Sequence, residues 1–311
     1  MKNTLDHPIA PALPIRPAPV EDTTWGMDSI QLHDRYWASK GVQVVRLGSA
    51  SVESKRPLLY LLLDAHDLVV FDLAPPLKLL NMLKPRAVRL RIVDRHDDDY
   101  REMVVTDRNR RLMAIQRRYR ASTRSTARAF LTPSASIAQR WAESTDARTA
   151  RASLRTPRDR RHTLPHSCPG MVFEATDSDD RDRLVKALLK TWKIPGPSLG
   201  NVYQFHPGVW VHESAKIDPG ARLIGPVWVG AGLSLGAGQI VLGPRVLPDA
   251  PGQSNTPPEF SWDTTQLPRW RLAPRVRRSP ARLISKRAFD ILFALAVLLV
   301  TLPIYPFVIL A

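Results

Sequence analysis

The segment VWVHESAKIDPGARLIGPVWVGAGLSLGAGQIVLGPRVLPD, residues 209–249, contains the most regular pattern in the chain. Small residues and turn formers separate apolar residues that recur at a strict interval of six: Val211, Ile217, Leu223, Val229, Leu235, Val241 and Leu247. A period of six suits neither an α-helix nor one long strand. It favours a coil of short strands with tight corners between them.

This pattern resembles the left-handed β-helix of hexapeptide-repeat proteins, in which three hexads usually form one coil. The resemblance implies a little over two coils with the seven apolar residues as their core. Trp210 and Trp228 are 18 residues apart, so we expect them to stack on one outer face under the preceding part of the chain. Acyltransferases on this β-helix use a histidine base, but His212 directly follows an inward position and is expected to be a surface residue.

The segment before the repeats predicts a small mixed α/β domain over residues 28–120. Short apolar runs of strand length alternate with a helical stretch, PPLKLLNML. The sequence RHDDDYRE, residues 95–102, is interpreted as a polar hairpin turn between AVRLRIVD and MVVTD, in preference to a Mg²⁺ site. Farther on, SIAQRWAES and ATDSDDRDRLVKALLKTW predict helices.

Charge is distributed unevenly along a chain of net charge +16. Residues 108–161 contain 15 arginines and only three acids, and residues 269–287 contain eight basic residues and no acid. Such blocks attract polyanions. No zinc spacing or DNA-binding motif accompanies them, so we interpret the first block as a solvated linker and expect no nucleic-acid partner. The chain's single cysteine, Cys168, excludes an intramolecular disulfide.

The last 21 residues, 291–311, carry no charge and follow the second basic cluster directly. That length of helix could span the hydrocarbon layer of a bilayer. Pro303, however, predicts a bend inside it, and Asp290 is placed for the interface and not for the bilayer core.

The C-terminal stretch resembles the start of the monotopic phosphoglycosyl transferases, the bacterial sugar transferases that begin exopolysaccharide synthesis. The matching residues are Lys286, Arg287, Phe289, Asp290, Leu295, Leu298, Leu299 and Pro303. In that family the proline breaks the helix, so that it enters and leaves by the cytoplasmic face. The resemblance therefore implies a re-entrant membrane helix docked by Lys286, Arg287, Asp290 and Pro303. Thr301-Leu302-Pro303 departs from the family's usual Ser-Pro.

The family moves a sugar-1-phosphate from a nucleotide sugar to polyprenyl phosphate, with an Asp-Glu pair and Mg²⁺ in a following domain. That domain would lie beyond residue 311, so this chain is expected to contain no catalytic residue, to bind no cofactor and to be inactive alone. Mg²⁺, polyprenyl phosphate and the nucleotide sugar are expected only with the missing domain. The chain itself is expected to contact anionic membrane lipid on the cytoplasmic face of the bacterial inner membrane, with a homo-oligomer through the β-helix left open.

The expected fold class is α+β, with a small mixed α/β domain, a short left-handed β-helix and a C-terminal re-entrant helix. The expected division begins with a Pro-rich tail (1–27), the α/β domain (28–120), an Arg-rich linker (121–170) and a helix with its connector (171–200). It continues with the β-helix (201–250), a basic Pro-rich linker (251–284) and the membrane helix (285–311). Two alternatives stay open. The second hypothesis, after the sugar transferase, is a non-catalytic, membrane-anchored hexapeptide-repeat scaffold. The third is a β-helix acyltransferase.

Overall fold

The computed structural model describes residues 23–49, 52–53, 57–106, 112–154, 163–252, 260–262, 270, 272 and 280–301. The chain divides into two compact units, Met1–Arg271 and Leu272–Ala311. In the described part of the chain, helices α1 to α6 are Ser29–Ser39, Ala74–Leu83, Ala135–Ala142, Ala147–Ser153, Ser178–Thr191 and Pro280–Thr301.

The first unit is built around a six-stranded mixed sheet with the order β1-β2-β5-β4-β6-β3. Its strands are Val42–Arg46, Leu59–Leu63, Asp67–Phe71, Ala87–Thr106, Leu112–Thr132 and Thr163–Glu174. The β1–β2 and β4–β6 pairs are parallel, and the other neighbours are antiparallel. The two longest strands, β4 and β5, pair along almost their whole length.

Helices α3 and α4 cover one face of this sheet over β1, β2 and β5. Tyr60, Leu62 and Phe130 from the strands pack in one buried cluster with Ile137 and Trp141 from α3. The indole Nε1–H of Trp141 donates to the carbonyl of Leu63 at 2.9 Å, so its burial leaves no unpaired donor. This helical cover ends at α4.

The hexad segment forms short parallel strands that pair with a partner 18 residues away. The strands of the segment and of the residues just before it, β7 to β14, are Val202–His206, Val209–His212, Lys216–Ile217, Arg222–Ile224, Val227–Val229, Ser234–Leu235, Ile240–Leu242 and Arg245–Leu247. They make one four-stranded sheet, β14-β11-β8-β7, and two two-stranded sheets. Small residues are required at the corners. A Cβ at Gly230, for example, would lie 2.6 Å from the backbone of Asp249.

Trp228 joins the hexad segment to other elements of its unit. Trp210 and Trp228 are paired in register, as their spacing predicts, and both are buried. The ring of Trp228 contacts Trp25 from the N-terminal turn at a centroid distance of 4.6 Å, and Trp192 after α5 at 6.0 Å. The outer face of the segment that carries these tryptophans is therefore covered by elements that precede it in the chain.

The expected fold class is wrong. The described residues form a mixed α/β architecture dominated by one sheet, in place of an α+β chain with a left-handed β-helix of its own and a C-terminal re-entrant membrane helix. The hexad strands are one part of a compact unit, because a tryptophan cluster joins them to α5 and to the N-terminal turn.

The C-terminal helix also differs from expectation. Among the described residues there is no helix with both the length and the hydropathy needed to cross a bilayer. Helix α6 begins at Pro280 and carries Arg282, Lys286, Arg287 and Asp290 in its first half. Four of the 22 residues of this helix are therefore charged. Pro303 lies outside the described residues.

The predicted hairpin at RHDDDYRE is wrong as well. Strand β4 continues through residues 95–102, and MVVT is its end instead of a separate antiparallel partner. The physical reason is that β5 supplies a backbone partner along this polar stretch, so strand pairing overrides its turn-like composition. Residues 121–170, expected to be an Arg-rich linker, contain the end of β5, both α3 and α4, and the start of β6.

The three predicted helices are confirmed as α2, α3 and α5. Helix α5 begins after Asp177, whose side chain accepts a hydrogen bond from the amide of Asp179 at 2.9 Å. Asp179 and Asp180 lie in its first turn, where the helix dipole favours negative charge.

Candidate functional site

The predicted docking residues lie on or beyond helix α6. Arg287 and Asp290 are exposed, Lys286 lies on the preceding position of the helix, and Pro303 falls outside the described residues. Large apolar side chains next to them are exposed too, with exposed fractions of 68% for Phe289 and 63% for Phe293. The two phenyl rings stack at a centroid distance of 6.3 Å.

The seven residues predicted as a core meet in one apolar cluster. Four of them are buried and three are partly buried against it: Val211, Leu223, Val229 and Val241, with Ile217, Leu235 and Leu247. Their role in the described structure is packing. They bring no polar group into a common cavity.

His212 is buried, with 6% of its surface exposed, so the expectation of a surface histidine is wrong. The amide N–H of Ser214 donates to its Nδ1 at 3.1 Å, and its Nε2 lies 2.9 Å from the side-chain amide of Asn201. Burial lowers the pKa of this imidazole, against smaller opposing effects of Asp249 and Glu213. Both ring nitrogens are thus occupied in a neutral ring, which favours a structural role over that of a general base.

A second buried histidine, His33 on α1, resembles a catalytic dyad because its Nδ1 lies 3.3 Å from Asp34. Its Nε2, however, lies 3.0 Å from both the amide nitrogen and the carbonyl oxygen of Val69 on β3. Burial lowers its pKa, and the hydrogen bond to Asp34 partly opposes this effect. Since the nitrogen that a substrate would need is bonded to backbone, His33 joins α1 to the sheet.

The strongest candidate site lies where the helical cover of the sheet ends. We call it the arginine groove and define it by Arg89, Arg91, Arg128, Leu154 and Pro165. Its volume is about 940 Å³. The three arginines are exposed on adjacent strands, and Leu154, at the end of α4, borders them.

The strand register explains why these side chains share one face. Arg91 pairs directly with Arg128 across the antiparallel β4–β5 ladder, and Arg89 pairs with Phe130. Alternation along each strand then places Arg89, Arg91 and Arg128 on the same side of the sheet as Phe130, which packs under α3. On the other side of β4, Pro165 pairs with Arg89.

A smaller cleft of about 540 Å³ lies near Tyr36 and Phe71. Its lysines, Lys40, Lys190 and Lys193, are balanced by two carboxylates, Asp72 and Asp94. The ammonium of Lys40 lies over the ring of Tyr36 at 4.7 Å, so part of this charge is already engaged. The lining of the arginine groove, as far as the structure describes it, contains no carboxylate.

No group of three His, Cys, Asp or Glu side chains within the described ranges is arranged to hold a metal ion. For the three aspartates of residues 97–99 the structure describes the backbone and not the side chains, so this absence does not extend to them.

Comparisons with known proteins include a weak structural likeness. No family model matches the chain, and no curated protein matches it. Among solved structures, the chain is similar to one described as a glucose-1-phosphate thymidylyltransferase from Bacillus anthracis in complex with a sucrose. The identity is 14% and the TM-score 0.23, over 40% of this chain and 52% of the other. The chain thus spans about half of that structure, and the likeness is too small to assign an activity.

The arginine groove was missed by the sequence interpretation, although part of its signal was present. The alternation in AVRLRIVD does place Arg89 and Arg91 on one strand face. Arg128, however, stood inside a block interpreted as a linker. Only the register of β5 against β4 brings it next to Arg91.

Proposed function

We propose that this chain is the non-catalytic N-terminal portion of a bacterial sugar transferase that moves a sugar-1-phosphate from a nucleotide sugar to polyprenyl phosphate. In this proposal the chain contributes binding and regulation, and the following domain contributes the Asp-Glu pair and Mg²⁺. The proposal also places the chain on the cytoplasmic surface of the inner membrane. It concerns binding to the membrane surface and no re-entrant or spanning helix.

The observation that carries the proposal is the exposed apolar surface of α6. Five large side chains within a single stretch are 54–69% exposed: Phe289, Ile291, Leu292, Phe293 and Leu295. An exposed apolar surface of this kind normally contacts another protein or a membrane in the functional state.

The charge next to this surface favours an anionic bilayer as that cover. Arg287 is exposed on the same helix, directly before the apolar residues, and it ends a sequence segment of eight basic residues without an acid. Basic residues near an anionic bilayer contribute about 1 kcal/mol each, and apolar side chains that enter the headgroup region add to this. The resemblance of Lys286, Arg287, Phe289 and Asp290 to the start of the sugar transferases supports the same placement.

We expect Phe293→Asp to weaken binding of the chain to vesicles of phosphatidylcholine and phosphatidylglycerol by at least about tenfold. The reason is the loss of one buried phenyl group, roughly 1.5–3 kcal/mol, together with the addition of a negative charge. Arg287→Gln should weaken binding about fivefold. Vesicle flotation measures both, and binding to phosphatidylcholine alone should be weak for every form of the chain.

Ile224→Asp provides the matched control. Ile224 is a large apolar residue that is 57% exposed and lies in the first unit, so the same change to aspartate is made away from α6. This variant should bind vesicles about as well as the wild-type chain. Equal loss in both variants, or no loss in Phe293→Asp, would contradict a membrane role for α6.

A further inference from the structure

We propose that the arginine groove binds a nucleoside diphosphate or a diphosphate ester of similar size. The inference rests on the first unit alone and does not depend on the sugar-transferase proposal. It assigns a ligand to a face of the sheet that the sequence interpretation treated as partly linker.

The first step is the arrangement of the positive charge. Arg91 and Arg128 are directly opposite each other on neighbouring strands, and residues so paired have Cβ atoms about 4.5–5.5 Å apart. Arg89 lies two residues along β4 on the same face, within about 7–8 Å. Like charges in this position destabilise a sheet unless an anion lies between them. The register therefore creates a place for negative charge.

The second step is that this charge is available. Among the described residues, no carboxylate lines the groove, and none forms an ion pair with Arg89, Arg91 or Arg128. Arg151 on α4 also borders the groove, but its guanidinium is paired with Asp64. Three guanidinium groups thus remain for a ligand.

The third step is the type of anion. Guanidinium groups bind phosphate oxygens through paired, charge-assisted hydrogen bonds, and one phosphate is well served by one or two of them. Three arginines on adjacent strand positions match two neighbouring phosphates better than one. A ligand with a single carboxylate would leave at least one of the three arginines without an anionic partner and close to another positive charge.

The fourth step is the size and apolar part of the site. A volume of about 940 Å³ is at the upper end of that typical for small-molecule sites and is larger than a free diphosphate needs. Leu154, Pro165 and Phe130 line the groove together with the arginines and provide apolar surface. This wall suits the base and sugar of a nucleotide.

A nucleic-acid strand is the less favoured polyanion. Single-stranded binding surfaces combine a basic track with several exposed aromatic rings on which bases stack. Among its described lining residues the groove has one phenyl ring, that of Phe130, which is only 6% exposed, and the half-buried imidazole of His166. The structure thus favours a ligand that enters the groove over one that crosses it.

The test is isothermal titration of the chain with ADP, GDP, UDP and CDP, with inorganic diphosphate and uridine as partial ligands. At least one nucleoside diphosphate should bind with measurable heat. It should bind more tightly than inorganic diphosphate, and uridine should not bind. The variant Arg91→Gln/Arg128→Gln should raise the Kd of that nucleotide by at least about tenfold. A saturating nucleotide should raise the Tm of the wild-type chain by about 5 °C.

Two variants keep the result interpretable. Arg128→Glu places a carboxylate opposite Arg91, so it should abolish binding while leaving the Tm unchanged or higher. Arg222→Gln removes an exposed arginine from β10 and should leave the Kd unchanged. Absence of binding by all four nucleotides, an unchanged Kd in the double variant, or tighter binding of a single-stranded oligonucleotide than of any nucleotide would overturn the proposal.

Discussion

Replacing Trp25 by alanine is expected to lower the free energy of unfolding of the first unit by roughly 3–5 kcal/mol. Trp25 is completely buried although it precedes the first helix. Its ring packs on Trp228, and its Nε1–H donates to the carbonyl of Val229 at 2.9 Å. The alanine variant removes the ring, the hydrogen bond and the link between the N-terminal turn and the hexad strands.

The backbone at Trp25 makes the alanine substitution a clean probe. Its φ is 58°, in the left-handed region, within a tight turn closed by Thr24 and Met27. That conformation costs about 1–2 kcal/mol for a residue with a Cβ, and alanine retains this cost. Only the side chain beyond Cβ therefore changes. Denaturant unfolding followed by circular dichroism gives the free energy.

Trp25→Phe is the matched control. It retains an aromatic ring against Trp228 and loses the indole N–H, so a smaller loss of about 1–2 kcal/mol is expected. If Trp25→Ala cost less than about 1 kcal/mol, the N-terminal turn would not be part of the core, and the corrected architecture would lose its main support.

Asp249→Ala is expected to be the second most damaging substitution, with a loss of roughly 3–5 kcal/mol in the free energy of unfolding. Its carboxylate accepts hydrogen bonds from three backbone amides, those of Trp25, Gly26 and Ala231, at 2.6–2.9 Å. It also accepts from the hydroxyl of Thr23 at 2.8 Å. Alanine leaves these donors without a partner.

Two further variants distinguish the loss of these hydrogen bonds from the loss of a negative charge. Asp249→Asn retains one acceptor oxygen and should cost about half as much as the alanine variant. Asp218→Ala removes an exposed carboxylate that accepts one bond, from Gly220, and should cost less than about 1 kcal/mol. Thermal and denaturant unfolding measure all three. Equal effects at positions 249 and 218 would show that Asp249 does not hold the N-terminal turn.

Local patterns in the sequence predict local structure well in this chain. The acid-rich start and apolar face of residues 175–192 predict α5, and the interval of 18 between Trp210 and Trp228 predicts their pairing. Both features depend on residues close in sequence or on a strict repeat. Structure that depends on residues close in sequence, or on a strict repeat, is largely determined by the identity of those residues.

Features that depend on distant partners were not predictable in the same way. The polar stretch of residues 95–102 is strand because β5 pairs with it, and its composition alone favours a turn. Asp249 is typical of a turn residue, yet its partners are at positions 23, 25 and 26, more than 220 residues earlier. The arginine groove likewise exists only through the register of two strands.

Transfer of a sugar phosphate to polyprenyl phosphate in vesicles tests the central proposal most directly. Two proteins are supplied with labelled nucleotide sugars: the chain of 311 residues alone, and the longer protein that the proposal requires, called here the complete protein. We expect the complete protein to form labelled lipid and release a nucleoside monophosphate, and the chain alone to form none. Failure of the complete protein to transfer any sugar phosphate, while it still binds the vesicles, would contradict the account and favour a non-catalytic scaffold.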